Sequence, residues 1–279
     1  MNFDLYQVDA FADRVLRGNP AAVAPLDAWP TDDLLQAVAV ENNLSETAYT
    51  VRFGPGRWAL RWFTPAQEVP LCGHATLATA HILWTEGLDD AETLVFETLS
   101  GDLTVERAAP AEPGAGGAYV MDFPADPPVD AGPIAGLTEA LGAPPTAVLR
   151  GQYVLAIYDD PETVLALAPD MGGLAAIAAR EGGITACVVA SAAGGRTHDG
   201  AAVDFISRFF APAQGIPEDP VTGSAHCVLA PYWAGRLGKD DLAAFQASAR
   251  GGVVGCRVAG DRVVLRGDAV TFLRGRVSL

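Results

Sequence analysis

The sequence predicts an α+β protein made of two lobes of the same fold, each a sheet around a central buried helix. The main observation is an internal repeat: residues 61–70 (RWFTPAQEVP) and 208–217 (RFFAPAQGIP) are identical at six of ten positions. Each block is soon followed by a glycine and a strongly apolar segment, residues 75–84 and 225–234. A helix that is apolar on every side is buried on every side. Each segment therefore predicts the central helix of one lobe.

The first lobe shows alternating strand and helix patterns. A turn is predicted at Gly18-Asn19-Pro20, and a helix over residues 31–42, where Thr31 suits the N-cap and the apolar residues share a face. A second turn, Gly54-Pro55-Gly56, separates two alternating segments that we expect to pair. The predicted strands are residues 3–10, 22–26, 47–53 and 58–63.

Length and composition set the domain organisation. The 279 residues, 50% of them hydrophobic and 19% charged, are enough for two folded domains and exclude intrinsic disorder. The most linker-like stretch is residues 110–117 (PAEPGAGG). We therefore predict an N-terminal lobe of residues 1–117 and a C-terminal lobe of residues 118–279, with the last strand a candidate to return to the first lobe.

Charge narrows the classes of partner. The formal net charge of −16 would repel both nucleic acid and an anionic membrane surface, so neither is an expected partner. The first residues lack the pattern of a signal peptide, and the apolar segments are too short to span a membrane. The four cysteines contain no CxxC pair, so reduced thiols and a cytoplasmic location are expected.

The starts of the two central helices are candidate ligand sites. A helix N-terminus exposes unpaired N–H groups and a partial positive charge, and a glycine there allows close approach of a ligand. If both ends face one cleft, they would bind a carboxylate. The polar and thiol residues around these ends are Glu68, Cys72, His74, Glu218, Asp219, Thr222 and Ser224.

A third polar cluster lies at residues 41–47, where Ser45 and Thr47 flank Glu46. The hydroxyls would orient Glu46 or a substrate, although a simple tight turn explains the same residues. His81 lies within an apolar segment and is expected to pack in the core. The histidines show no metal-binding motif, and neither GxGxxG nor a Walker loop is present, so neither a metal nor a cofactor is predicted.

Four motifs together resemble the PhzF-like (phenazine biosynthesis-like) isomerase family. They are GNPAAV at 18–23, NLSETAY at 43–49, PLCGHATLA at 70–78 and EDPVTGSAH at 218–226. The resemblance implies the diaminopimelate-epimerase-like fold, with two pseudo-symmetric lobes that are each a curved mixed sheet around a helix. It also implies a homodimeric, cofactor-independent isomerase of a small carboxylate-bearing metabolite, in which one glutamate in the cleft between the lobes moves the proton.

The resemblance also assigns roles to individual residues. It implies that the catalytic residues are Glu46, His74, Asp219 and Ser224. It implies that the substrate-binding residues are Ser45, Gly73, Thr222 and Gly223. The motifs do not identify the substrate, because the residues that line the pocket vary among family members.

Two alternatives stay open. Cys72-Gly73-His74 also resembles the first thiol motif of proline racemases, which need a second thiol on the opposite helix end. The counterpart of Cys72 in the repeat is Thr222, so we predict that Cys72 is packed and non-catalytic; related dehydratases that carry Thr there remain a distant alternative. The second alternative is a non-catalytic metabolite-binding protein, because fold alone does not establish activity.

Overall fold

The computed structural model describes residues 1–108, 118–181 and 187–279. The predicted linker at 110–117 lies outside these described residues. The chain divides into two compact units, Met1–Asp122 with Arg266–Leu279, and Phe123–Leu265. Among the described residues, no helix combines the length and the apolar character needed to cross a membrane.

The described chain contains eighteen strands and six α-helices. Up to β8, the strand that crosses the first boundary between the units, the elements are β1 (Asn2–Ala10), β2 (Asn19–Leu26), α1 (Asp32–Asn42), β3 (Glu46–Gly54), β4 (Arg57–Phe63), β5 (Glu68–Val69), α2 (Gly73–Thr85), β6 (Thr93–Thr98), β7 (Gly101–Arg107) and β8 (Tyr119–Pro124). The elements that follow are β9 (Val129–Asp130), α3 (Leu137–Leu141), β10 (Ala147–Arg150), β11 (Val154–Tyr158), α4 (Pro161–Ala166), α5 (Met171–Glu181), β12 (Val188–Ala193), β13 (Phe205–Ala211), β14 (Ile216–Asp219), α6 (Gly223–Leu237), β15 (Asp241–Gln246), β16 (Gly252–Ala259), β17 (Arg262–Gly267) and β18 (Ala269–Ser278). This mixture confirms the predicted α+β class.

The sheet of the first unit is wrapped around α2. β1 pairs antiparallel with both β18 and β2, β2 and β3 are parallel, and β3 and β4 are antiparallel. β4 is parallel to β6, which continues into antiparallel β7. The helix contacts strands across this sheet, namely β1, β2, β3, β7 and β18. All its residues from His74 to Trp84 are buried, as the all-round apolar pattern predicts.

The second unit repeats the same connections. β11 and β12 are parallel, β12 and β13 are antiparallel, and β13 is parallel to β15, which continues into antiparallel β16. Along the chain, α6 follows β14 and precedes β15, just as α2 follows β5 and precedes β6. The helices α3 to α5 pack with β11 to β13 in a core that includes Leu141, Leu174 and Phe210. The repeated pair of central helices begins at Gly73 and Gly223, as predicted.

A bidentate arginine–glutamate pair precedes each central helix. Arg61 donates from Nε and Nη2 to the two oxygens of Glu68, at 2.7 and 2.8 Å. Arg208 donates in the same way to Glu218, at 2.8 and 2.9 Å. In both units the N-cap residue of the helix, Cys72 or Thr222, comes four residues after the glutamate. The three extra residues of the second copy therefore lie before Glu218, and not after the second proline as the ungapped comparison suggested.

Two local predictions need correction. β2 begins at Asn19, so Asn19 and Pro20 belong to the strand and the turn precedes them. Gly18 ends that turn with φ +63°, and a Cβ there would lie 2.1 Å from the carbonyl oxygen of Ala10, so only glycine fits. Thr31 is the N-cap of α1, but its side chain makes no capping bond; its carbonyl accepts from Leu34 and Leu35 instead.

The chain ends meet at the edge of the first unit. β18 runs antiparallel to β1 along its length, from Asn2 opposite Ser278 to Ala10 opposite Ala269. Beyond this ladder, the Met1 ammonium donates to the carbonyl oxygen of Leu279 at 2.6 Å, and the Leu279 N–H donates to the carbonyl oxygen of Met1 at 2.9 Å. Two backbone hydrogen bonds therefore join Met1 to Leu279.

His81 is a structural residue of the first unit, as predicted. It is buried in α2, with Nδ1 2.9 Å from the Tyr119 hydroxyl and Nε2 2.9 Å from Thr271 Oγ1. Burial and the charge of Arg274 lower the pKa of His81 to about 4, against a smaller opposing effect of Glu86. The ring is therefore neutral at pH 7 and joins α2 to two strands.

The bidentate pairs predict an unequal cost of arginine-to-lysine substitutions. Arg208 also donates to the carbonyl oxygen of Leu167 at 2.7 Å, and lysine cannot reproduce this fork of donors. We expect Arg208→Lys to lower the free energy of unfolding by about 1–3 kcal/mol. The control is Arg57→Lys, because the contact between Arg57 and Asp102 is half exposed; it should cost less than about 0.5 kcal/mol. Equal losses in urea unfolding would contradict a special role for the pair.

Candidate active site

The N-terminus of α2 has no side-chain cap. Its N-cap residue, Cys72, has an extended backbone (φ −148°), and its side chain makes no capping hydrogen bond. The Cys72 carbonyl accepts from the N–H of Thr76 at 3.2 Å and from its hydroxyl at 2.6 Å, which starts the helix. The uncapped turn keeps a partial positive charge and free donors for a ligand.

Glu46 and His74 meet at this end of the helix. Glu46 is the first residue of β3, which lies parallel to β2 with Ala21 opposite Glu46. Its Oε2 is 3.2 Å from Nε2 of His74, and the two side chains are only 13% and 8% exposed. Neither atom has a partner in hydrogen-bond geometry, although both are buried. Buried polar atoms without a hydrogen bond are costly and rare, so this pair is a candidate for ligand binding.

The other ring nitrogen of His74 has two neighbours. Nδ1 lies 3.3 Å from Nδ2 of Asn19 and 3.5 Å from Sγ of Cys72. Asn19 is fully buried, and its Oδ1 is 3.5 Å from the Ser45 hydroxyl, at the limit of a hydrogen bond. The histidine ring therefore bridges Cys72 on one side and Glu46 on the other, with Ser45 linked to the group through Asn19.

Burial controls the charges in this cluster. Burial raises the pKa of the Cys72 thiol, and the Glu46 carboxylate raises it further, against a smaller lowering by His74. Cys72 is therefore a neutral thiol at pH 7. Burial by itself lowers the pKa of His74, but its contacts with Cys72 and Glu46 outweigh burial, so the pKa is raised. Because Cys72 is neutral, the Glu46 carboxylate, 3.2 Å away, is the charge that favours a protonated ring.

Three kinds of metal ligand also come together here. One ligand atom each from Glu46, Cys72 and His74 lies within 4.8 Å of the other two. The sequence motifs indicated no metal site, because Glu46 is far from Cys72 and His74 along the chain. The grouping arises only when β3 and α2 pack together.

The N-terminus of α6 has different chemistry. Thr222 is its N-cap, but the Thr222 side chain makes no capping bond, because its hydroxyl donates to Oδ2 of Asp219. Gln246, fully buried, accepts from the Thr222 N–H at 2.8 Å and donates to the Asp219 carbonyl oxygen at 2.7 Å. This amide holds the segment from Asp219 to Thr222 in place.

Ser224 follows Gly223 in the first turn of α6 and contacts two residues of the β10–β11 turn. Its hydroxyl is 2.8 Å from the Tyr153 hydroxyl, and its carbonyl oxygen is 3.5 Å from Nε2 of Gln152. The turn fits against α6 because residue 151 is glycine: a Cβ there would lie 2.9 Å from Val228. Burial raises the pKa of Tyr153 to about 12, so its hydroxyl stays protonated at pH 7.

The predicted residues thus form one group within each unit. In the first unit Ser45, Glu46, Gly73 and His74 surround the start of α2. In the second unit Asp219, Thr222, Gly223 and Ser224 surround the start of α6. Their catalytic and binding roles remain predictions. Glu68 and Glu218, also candidates near the helix ends, are bound to the repeat arginines instead.

Sequence reasoning missed three residues. The sequence analysis named Asn19 only as part of the GNP motif, because its contact with His74 cannot be inferred from spacing along the chain. Tyr153 and Gln246 carry no motif, and each reaches the site from a distant part of the chain.

Comparisons with known proteins agree with this geometry. The model of the family "Phenazine biosynthesis-like protein" matches residues 8–275. The chain is 47% identical to an "uncharacterized isomerase" of Pseudomonas aeruginosa and 38% identical to the human "phenazine biosynthesis-like domain-containing protein", with all of each protein covered. A crystal structure of a PhzF-family protein from Enterococcus faecalis superposes with a TM-score of 0.90 at 41% identity, covering all of both chains.

These findings first define a class: an isomerase-type enzyme with the diaminopimelate-epimerase-like fold, as predicted. The chain belongs to the phenazine biosynthesis-like (PhzF) family.

His226 predicts a pH dependence of stability in the second unit. It is fully buried, Nδ1 donates to the Thr222 carbonyl oxygen at 2.8 Å, and Nε2 has no hydrogen-bond partner. Burial lowers the pKa of His226 to about 4, against the opposing hydrogen bond. The unfolded state therefore binds more protons between pH 6.5 and 4, and the stability present above pH 6.5 is lost as the pH falls.

The matched variant is His226→Asn, whose amide can keep the donor to Thr222 but does not titrate. Relative to this variant, the wild type should lose about 3 kcal/mol of unfolding free energy between pH 6.5 and pH 4. Urea unfolding at several pH values measures this difference. Parallel curves for the two proteins would contradict a neutral buried His226.

Proposed function

We propose that this protein is a cofactor-independent isomerase that moves one proton within a small carboxylate-bearing metabolite, with Glu46 as the general acid and base. The observation that carries the proposal is the buried contact between Glu46 and His74 at the uncapped start of α2. A buried carboxylate beside helix N–H groups combines a base with donors for an oxyanion, and proton transfer next to a carboxyl group requires both.

The proposed reaction needs no oxidant, reductant or second substrate. A carboxylate oxygen of Glu46 takes a proton from a carbon next to a carboxyl or unsaturated group, and the electron pair of that C–H bond moves into the conjugated system. The same carboxyl returns the proton to another carbon on the same face of the substrate. Substrate and product therefore have the same composition and differ in the position of one hydrogen.

The developing negative charge requires donors that are already in place. The N–H groups at Gly73 and the protonated His74 fill this role in the first unit, and Ser45 is assigned to substrate binding. In the second unit the proposal assigns Asp219 and Ser224 to assisting transfer, and Thr222 and Gly223 to binding. The Tyr153 hydroxyl is the better donor of its pair, so it leaves the Ser224 hydrogen available to an acceptor.

The thiol alternative has less support. Cys72 is buried, and burial raises the pKa of its thiol, which disfavours the thiolate that a base would need. Its counterpart in the second unit is Thr222, whose hydroxyl is engaged by Asp219. A two-thiol racemisation would lack its second base.

The glutamate mechanism is tested with the Glu46→Gln variant. A panel of small carboxylic acids, each with an acidic C–H, is incubated with the protein in deuterium oxide, and deuterium uptake is followed by mass spectrometry. We expect uptake into at least one acid with the wild type, and a loss of at least about a hundredfold in rate with Glu46→Gln, because glutamine keeps the shape but is not a base.

The matched control is Glu41→Gln, since Glu41 is exposed near the end of α1 and should leave the rate unchanged. Near-wild-type exchange by Glu46→Gln would refute the mechanism. No exchange of any acid by the wild type would favour the non-catalytic binding protein.

Cys72→Ala separates the glutamate mechanism from the thiol alternative. Alanine removes the thiol and leaves the rest of the site, so exchange should stay within about tenfold of the wild type, well above the loss expected for removal of a general base. If Cys72→Ala lost as much activity as Glu46→Gln and kept an unchanged circular dichroism spectrum, the catalytic base would be Cys72 and not Glu46.

A further inference from the structure

We propose that Glu46, Cys72 and His74 form a binding site for a thiophilic divalent cation of the Zn²⁺ or Cd²⁺ type, which blocks the base. The three side chains supply an oxygen, a sulfur and a nitrogen, and these atoms lie within 4.8 Å of one another. This is the donor set of an open zinc site, with three protein ligands and a fourth position left to solvent.

Two of the contacts already have the spacing that ligands of one ion require. Cys72 Sγ is 3.5 Å from His74 Nδ1, and Glu46 Oε2 is 3.2 Å from His74 Nε2. Ligand atoms around a tetrahedral ion with bonds of about 2.0–2.3 Å stand roughly 3.3–3.8 Å apart. The two contacts involve different ring nitrogens and the ion would bond only one, so the ring or one of the other two side chains must move to bring the three ligand atoms from within 4.8 Å of one another to this spacing.

An independent observation points to a ligand at this place. Glu46 Oε2 and His74 Nε2 are both buried and lack any partner in hydrogen-bond geometry. Coordination would satisfy one or both of these atoms. Cys72 lies at the same helix end, and both Cys72 and His74 are about 7% exposed.

Binding exchanges two protons for the ion. The Cys72 S–H bond and one N–H bond of the protonated His74 ring break, the sulfur and the nitrogen keep the electron pairs and bond to the metal, and both protons leave to solvent. No oxidation is involved. The ion then occupies the carboxylate that abstracts the substrate proton, so it inhibits turnover; this consequence rests on the proposed function, whereas the binding itself does not.

Cadmium titration tests the site without any substrate. The chelator-treated protein is titrated with Cd²⁺, and the ultraviolet charge-transfer absorption from thiolate to cadmium is recorded. We expect the absorption in the wild type and in the control Cys256→Ala, whose cysteine is equally buried in β16. The absorption should disappear in Cys72→Ser, and the apparent affinity should fall at least about tenfold in Glu46→Gln and in His74→Gln.

The possible results distinguish a three-ligand site from a lone thiol that binds the ion and from the absence of a site. No absorption in the wild type, or the same absorption in Cys72→Ser, would overturn the site. Absorption that depends on Cys72 but keeps its affinity in both Glu46→Gln and His74→Gln would show a lone thiol binding the ion, and would also overturn it. If Cys72→Ser does not fold, the affinities of the other two variants decide. Cadmium binding without inhibition of exchange would leave the site standing and contradict Glu46 as the base.

Discussion

The bidentate arginine–glutamate pair is the constraint on which each candidate site depends. In both units the arginine lies on a central strand, the glutamate lies on the short strand that pairs with it, and the helix begins five residues after the glutamate. Two parallel N–H···O bonds fix orientation as well as distance. The pair therefore determines where the short segment before the helix runs, and so where the uncapped N–H groups point.

The same scaffold carries different chemistry in its two copies. The N-cap is Cys72 in one unit and Thr222 in the other, and the residue two positions later is His74 or Ser224. In neither helix does the side chain of the N-cap residue make a capping hydrogen bond. Such a bond would occupy a donor and offset the partial charge, so its absence leaves both in place at a cost in stability of about 1 kcal/mol for each helix.

Local pattern explains much of the fold and less of the site. The repeat predicted the two buried helices and their starts, and alternation predicted the strands of the first unit to within a few residues, apart from the early start of β2. The ungapped alignment of the two repeat copies misplaced the three extra residues, because it matched two prolines that are not structurally equivalent. The Arg208–Glu218 hydrogen bonds show that Glu218 is the counterpart of Glu68. The same limit applies to Asn19, Tyr153 and Gln246. Their contacts join segments far apart in the chain, and side-chain direction at such contacts depends on packing that no local pattern encodes.

The pairing of β1 with β18 has a consequence for synthesis on the ribosome. The second unit is one continuous segment, Phe123–Leu265, so all of its strands are synthesised before β18. The first unit is discontinuous, and the outer edge of β1 stays without its partner until β18 is synthesised. An unpaired edge strand is a template for association with other chains. The nascent chain therefore exposes an aggregation-prone edge at β1 until β18 is synthesised, and a variant without β18 would keep that edge unpaired.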